Sequence, residues 1–204
     1  MKKKIQNVLI TNDDGYQAIG LKILKDVAQQ LADNVFVICP KVNQSAKSKS
    51  ITIRKEINFE RISDFYWIID GTPTDCIIFA LNHLFKEKKP DLILSGINAG
   101  SNIGDEVSYS GTVAAAWEGA IRGINSIALS QYGIHPLQRR HMHDLGFKHE
   151  ITQHMSEAGL DLHIPSGDWA SMIRYWLSIA ELDDQTRQTF FTRALIANNT
   201  TVNA

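Results

Sequence analysis

Two kinds of hydrophobic pattern alternate along the first 131 residues of the chain. Residues 5–11 (IQNVLIT) and 35–39 (VFVIC) are short β-rich runs, the second almost wholly apolar. Such runs suit strands buried on both faces of a sheet. Between them Leu21, Leu24, Val27, Ala28 and Leu31 return at helical spacing, which predicts a helix joining two parallel strands. Asp14-Gly15 could also open a hairpin turn, but the residues after it lack strand alternation and carry a helical face.

The alternation continues. FYWII (65–69) reads as a strand, and Thr72, Pro73 and Asp75 then supply an N-cap, a proline at the first helical position and an acid at the third. That pattern predicts a helix over 74–85. DLILS (91–95) is the next strand. A long glycine-bearing loop leads into TVAAAWEGAIRG, a predicted helix that Gly123 stops, and SIALS (126–130) is a further buried strand. Strands alternating with helices in this way predict an α/β fold, a doubly wound, Rossmann-like, three-layer parallel sheet over residues 1–131.

Residues 132–204 read differently. Twelve of thirteen lysines precede residue 135, whereas six of seven histidines lie from His135 to His163. A divergent, mainly helical C-terminal segment is expected there. Ser166-Gly167-Asp168 gives an N-cap signal before an apolar helical face at 169–182, and another helix is expected from Asp184 to Ile196. His141 and His143 lack the spacing of a zinc signature and read as solvated. Trp169, Tyr175 and Trp176 read as core or partner contact.

Charge and composition narrow the function classes. A net charge of −1 gives no sign of a nucleic-acid polymer or a membrane surface as partner. No stretch approaches the roughly 20 apolar residues that span a bilayer. Lys2, Lys3 and Lys4 precede a run too short and too polar for a signal peptide. Cys39 and Cys76 lie in apolar surroundings without CxxC spacing, which speaks against a disulfide framework or a zinc site. A reduced, cytoplasmic protein is expected.

In doubly wound sheets the site lies beyond the carboxyl ends of the strands. Three predicted loops leave those ends: 11–17 with Asp13 and Asp14, 40–50 with Asn43 and Ser45, and 96–112 with Asn98. Two neighbouring carboxylates repel, and they are costly together in a partly enclosed cleft unless a cation neutralises them. The nearby candidate ligands are all hard oxygens, which points to magnesium, manganese or calcium rather than zinc. On the pair alone, capping of the following helix explains Asp-Asp-Gly equally well. The longer loop bears on the choice, because SGINAGSNIGD and SYSGT bring small residues and hydroxyls to a helix N-terminus, where backbone amides can hold a phosphate. Neither the GxGxxG fingerprint nor the P-loop pattern is present, so dinucleotide binding and P-loop chemistry lose their warrant.

ITNDDG, PKVNQSAKSKSITI, GTPTDC and above all SGINAGSNIGDEVSYSGTVAAAWEG resemble the SurE family, the stationary-phase survival protein E nucleotidases, in order and spacing from about residue 5 to about residue 131. The resemblance implies a metal-dependent phosphatase, a 5′-nucleotidase, that hydrolyses nucleoside 5′- and 3′-monophosphates and takes polyphosphate as a further substrate. It implies one divalent ion, Mg2+ or Mn2+, with Ca2+ able to replace it in crystals, and a homodimer or homotetramer. The implied metal ligands are Asp13, Asp14, Ser45 and Asn98. The implied phosphate contacts are Ser110, Gly111 and Thr112, with Asn102 and Asn43 nearby. Asp13 and Asp14 are the catalytic candidates: as ligands beside an activated water, as general base, or as a nucleophile forming an aspartyl phosphate, alternatives that the residues alone leave open.

Two positions depart from the family pattern: Ile19 stands where proline is common, and Lys41 where an acid is usual. After Gln131 the family's Asn-containing strand ending in proline, and its hairpin exchanged between subunits, find no counterpart. A second reading is therefore non-enzymatic, a truncated or recombined derivative that keeps the cleft as a binding or interaction module.

Overall fold

Adjacent residues of the first strand bury into two different cores. Val8 and Ile10 pack with Leu21, Leu24, Val27 and Ala28, whereas Leu9 packs with Cys76, Ile77, Ala80 and Ala115. Because successive side chains of a strand point to opposite faces, a stretch covered on both sides has no polar face left, which is why Val8, Leu9 and Ile10 are apolar in succession. Each fully buried Leu or Ile contributes about 1.5–3 kcal/mol relative to its exposed state.

The computed structural model describes residues 5–100, 102, 104–132 and 197–200. In chain order the elements are β1 (Ile5–Thr11), α1 (Ile19–Ala28), β2 (Ala32–Pro40), β3 (Phe59–Ser63), β4 (Tyr66–Ile69), α2 (Pro73–His83), β5 (Leu92–Asn98), α3 (Glu106–Tyr109), α4 (Gly111–Ile121), β6 (Ser126–Tyr132) and β7 (Ala197–Thr200). They form one sheet in the order β3-β4-β2-β1-β5-β6-β7. All neighbours are parallel except β3 and β4. Helix α1 covers one face, while α2 and α4 supply residues to the core on the other, giving the three layers expected.

The strands and helices predicted over residues 1–131 are present within a few residues of their expected bounds. Helix α2 opens with a reciprocal capping box: the Thr72 hydroxyl accepts from the Asp75 amide at 3.1 Å, and the Asp75 carboxylate accepts from the Thr72 amide at 2.9 Å. The sheet differs from the all-parallel expectation at one edge. Strand β3 (FERIS) is exposed throughout and pairs antiparallel with β4 through a tight turn at Asp64-Phe65, where Arg61 ion-pairs with Asp64 at 2.6 Å. An edge strand wet on both sides carries no apolar run and so no strand signal in the sequence. Strand β7 (ANNT) pairs parallel to β6 and also lacks such a run. The expected helices at 169–182 and 184–196, and His141, His143, Trp169, Tyr175 and Trp176, lie outside the described residues.

Candidate active site

Strand β1 lies between β2 and β5, so the chain order reverses there, and in doubly wound sheets ligands bind at such a switch point beyond the carboxyl ends of the strands. Asp13 and Asp14 follow the end of β1, and Asn98 is the last residue of β5. The turn after β1 is tied internally: buried Asn12 donates from Nδ2 to the Gly15 carbonyl at 2.8 Å, and the Ala18 amide donates to the same oxygen at 3.2 Å. Gly15 has φ +95°, and a Cβ there would meet the Val42 carbonyl carbon at 3.1 Å. Only glycine fits both demands.

The capping explanation of the acid pair fails on this geometry. The N-cap of α1 is Ala18, with no side-chain cap, and both carboxylates engage other segments. Asp13, 3% exposed, accepts at Oδ1 a short hydrogen bond from the Thr112 hydroxyl. Gly111 lies flat against it, since a Cβ there would come within 2.8 Å of Asp13 Cβ and 3.0 Å of Pro73 Cγ. Asp14 is half-buried and accepts at Oδ2 from the Ala99 amide at 3.2 Å and at Oδ1 from Asn43 Nδ2 at 3.5 Å.

The loop after β2 approaches from the side. The Gln44 amide donates to the Asp13 carbonyl at 2.7 Å, and Asn43 Oδ1 accepts from the Ser45 amide at 2.9 Å. Asn43 thus bridges Asp14 and the Ser45 backbone. Further along, Ser48 donates from its amide to the Tyr109 carbonyl at 2.9 Å and from its hydroxyl to the Ser108 carbonyl at 2.7 Å. Asn98 donates from Nδ2 to the Gly100 carbonyl at 2.8 Å, one residue beyond the Ala99 amide that meets Asp14.

The expected phosphate segment sits where helix α4 begins, but its hydroxyls have definite tasks. Buried Ser110 caps the helix by accepting the Val113 amide at 3.1 Å, and Thr112 holds Asp13. The Gly111 amide opens the first turn of α4, where donors lack intrahelical acceptors and the helix dipole favours anions. Asn102 is buried and donates from Nδ2 to Ser130 Oγ at 2.6 Å, which turns it toward β6. Sequence reasoning passed over Asn12 and the Ala99 amide as supports of the acid turn. Asn12 stands immediately before the acid pair; the Ala99 amide acts across the fold and leaves no local signal.

Burial pushes the Asp13 carboxyl up to about 6, against the Thr112 hydrogen bond and with the Asp14 charge adding to the rise. Burial also raises Asp14, against its bond from the Ala99 amide. Among the described residues no lysine or arginine ion-pairs with either carboxylate. Among the described residues no group of three or more His, Cys, Asp or Glu side chains comes together, so a cation here would rest on these two acids and neutral oxygens, a set that suits a hard divalent ion rather than zinc. The donor set therefore fits such an ion.

Fold and cleft define a doubly wound α/β protein whose acid pair faces a helix N-terminus at the topological switch point. The family model described as "Survival protein SurE" matches residues 8–183, and the chain belongs to the SurE family. That match extends past residue 131, where the motif resemblance ended. The chain is 51% identical over 129 residues to the 5′-nucleotidase SurE of Paramagnetospirillum magneticum, covering 63% of this chain and 50% of the relative. It is 49% identical over 124 residues to the 5′-nucleotidase SurE of Beijerinckia indica subsp. indica, covering 61% and 47%. The crystal structure of the SurE protein from Aquifex aeolicus superposes with a TM-score of 0.61 at 36% identity, covering 78% of this chain and 62% of that one. The chain spans about half the length of the curated relatives it matches.

Proposed function

We propose that this cleft hydrolyses the phosphate monoester of nucleoside 5′- and 3′-monophosphates, releasing nucleoside and inorganic phosphate, with polyphosphate as a further substrate. The carrying observation is the placement of Asp13: a buried carboxylate with its proton affinity raised, held by Thr112 and flattened against Gly111 at the head of helix α4. A carboxylate placed there repels a dianionic ester, so binding the ester requires positive charge between them. The nearby relatives named 5′-nucleotidase support the same substrate class.

The residues divide the work as follows. Asp13, Asp14, Ser45 and Asn98 would hold one divalent cation, Mg2+ or Mn2+, which supplies charge against the phosphoryl oxygens and lowers the pKa of a water beside them. The Gly111 amide and the first turn of α4 orient the remaining phosphoryl oxygens, with Ser110 and Thr112 fixing that turn, while Asn43 steadies Asp14 and Asn102, bonded to Ser130, would need to turn from β6 to reach the phosphate. Water adds to phosphorus as the bond to the ribose oxygen breaks, and that oxygen leaves with a proton. Asp13 and Asp14 are the carboxylates within reach of this exchange. The reading includes a homodimer or homotetramer in the cytoplasm; among the described residues no helix is long and apolar enough to cross a membrane.

The test is release of phosphate by the purified full chain from p-nitrophenyl phosphate and from a panel of nucleoside monophosphates, with Mn2+ or Mg2+ and then with EDTA. Cation-dependent turnover abolished by chelator is expected. Folded protein that releases no phosphate under any of these conditions overturns the proposal in favour of a binding module.

A further inference from the structure

We propose that Asp75, with Thr52, is the positioning residue that fixes the loop bearing Asn43 and Ser45 over the acid pair. The inference rests on the cation reading of the cleft given above.

A helix-capping acid ordinarily serves its own first turn and leaves its remaining lone pairs to water. Asp75 does more. It is 3% exposed, and besides the Thr72 amide its carboxylate accepts the Thr52 amide at Oδ1 (3.0 Å) and the Thr52 hydroxyl at Oδ2 (2.7 Å), from 23 residues earlier. Thr72 completes the junction, since its hydroxyl donates to the Ser50 carbonyl at 2.7 Å. One buried carboxylate thereby joins the head of α2 to the far end of the loop that leaves β2.

Between that junction and β2 the loop has few other restraints. The Lys41 amide is held by the Ile69 carbonyl at 2.7 Å, the Gln44 amide by Asp13, and Ser48 by residues 108 and 109. Ala46 and Ser48 have φ of 59° and 52°, left-handed conformations that side chains adopt only where the surroundings impose them. Asn43 and Ser45, the two site candidates of this loop, lie among these residues and are themselves exposed. Their position relative to Asp13 and Asp14 follows from the anchors, among which the buried carboxylate of Asp75 takes the most bonds. Asp75 is far along the chain from either donor, and its carboxylate bonds to Thr52 and Thr72 instead, so it acts through the loop.

The test uses the full chain and five variants: Thr52→Val, Thr52→Ser, Asp75→Asn, Ser45→Ala and the double variant Thr52→Val/Ser45→Ala. The readouts are Mn2+ affinity by calorimetry without substrate, amide hydrogen exchange across residues 43–52, and kcat and KM. Thr52→Val should weaken Mn2+ binding about tenfold, as loss of a support behind a ligand does. It should also speed exchange in the loop, while Thr52→Ser, which keeps the hydroxyl, restores both. Adding Ser45→Ala to Thr52→Val should cost less than the separate effects combined, because both act on one donor. Wild-type protein that does not bind Mn2+ overturns the cation reading and this role with it. Wild-type binding with unchanged affinity in both Thr52→Val and Asp75→Asn overturns the positioning role alone and leaves Asp75 a helix cap. Should Asp75→Asn fail to fold, Thr52→Val decides.

Discussion

The Thr112 hydroxyl donates to Asp13 Oδ1 across 99 positions of sequence, joining the head of helix α4 to the turn after β1. The bond lowers the cost of charge on a carboxylate that burial otherwise makes reluctant to ionise. Thr112→Val keeps the shape of the side chain and removes the donor. Cation affinity in that variant should fall by about tenfold to a hundredfold, read by Mn2+ titration, with the far-ultraviolet spectrum unchanged.

Asp13→Asn should lower kcat by about a thousandfold or more, because the proposed cation site loses one of its two charges. The amide oxygen can still accept from Thr112, so the fold survives. The metal-free variant should melt no lower than wild type at neutral pH, since a buried charge has been removed. Near-normal turnover of Asp13→Asn would reject the site.

The raised Asp13 carboxyl also gives a pH dependence with a definite sign. Its ordinary value is 3.8 and its folded value about 6, so between these the folded chain holds more protons than the unfolded one. Stability from this group is complete below the unfolded value and is lost as pH rises through the folded value. In EDTA the difference in melting temperature between wild type and Asp13→Asn should therefore move against wild type from pH 4 to pH 6.5. Mn2+ should reverse that trend above about pH 6, because it binds the anion. A difference flat across the window would contradict the burial of Asp13.

Much of this was legible because stretches covered on both faces carry consecutive apolar residues: VLI in β1, LIL in β5 and IAL in β6 announce themselves, and so does the T-P-T-D cap of α2. Strand β3 was not legible, since an exposed edge imposes no hydrophobic pattern on FERIS. The acid pair was visible as an oddity, yet its two explanations, capping and cation binding, use the same residues in sequence. Only the Ala18 N-cap and the long-range bonds to Thr112 and Ala99 separate them. The second task of Asp75 was hidden for a similar reason, as its cap is local and its bonds to Thr52 are not.

Gly111→Ala tests the close approach of α4 to the acid turn. The new Cβ would come within 2.8 Å of Asp13 Cβ and 3.0 Å of Pro73 Cγ, and neither atom is the end of a flexible chain. The acid turn or the helix must shift, at a cost of about 1–3 kcal/mol. Turnover should fall more steeply than stability, since a displacement of Asp13 is felt by the chemistry first. A variant with wild-type kcat and melting temperature would show that the contact has slack.

The two cysteines report on the integrity of both cores at once. Cys39 lies in the core on the α1 side and Cys76 in the core under α2 and α4, and both are free and fully buried. Burial pushes the Cys39 thiol up to about 12, against a hydrogen bond with Tyr66, and raises Cys76 well above its ordinary value. The thiolate is the reactive form, so neither group should be modified in the native state at pH 8. Ellman's reagent should accordingly titrate no thiol in native protein and two per chain in guanidinium. Under native conditions the slow reaction should track opening of the sheet, with the same rate for both thiols if the two cores open together. Rapid modification of one thiol alone would show that its layer opens independently and that the sheet does not bind the two cores into one cooperative unit.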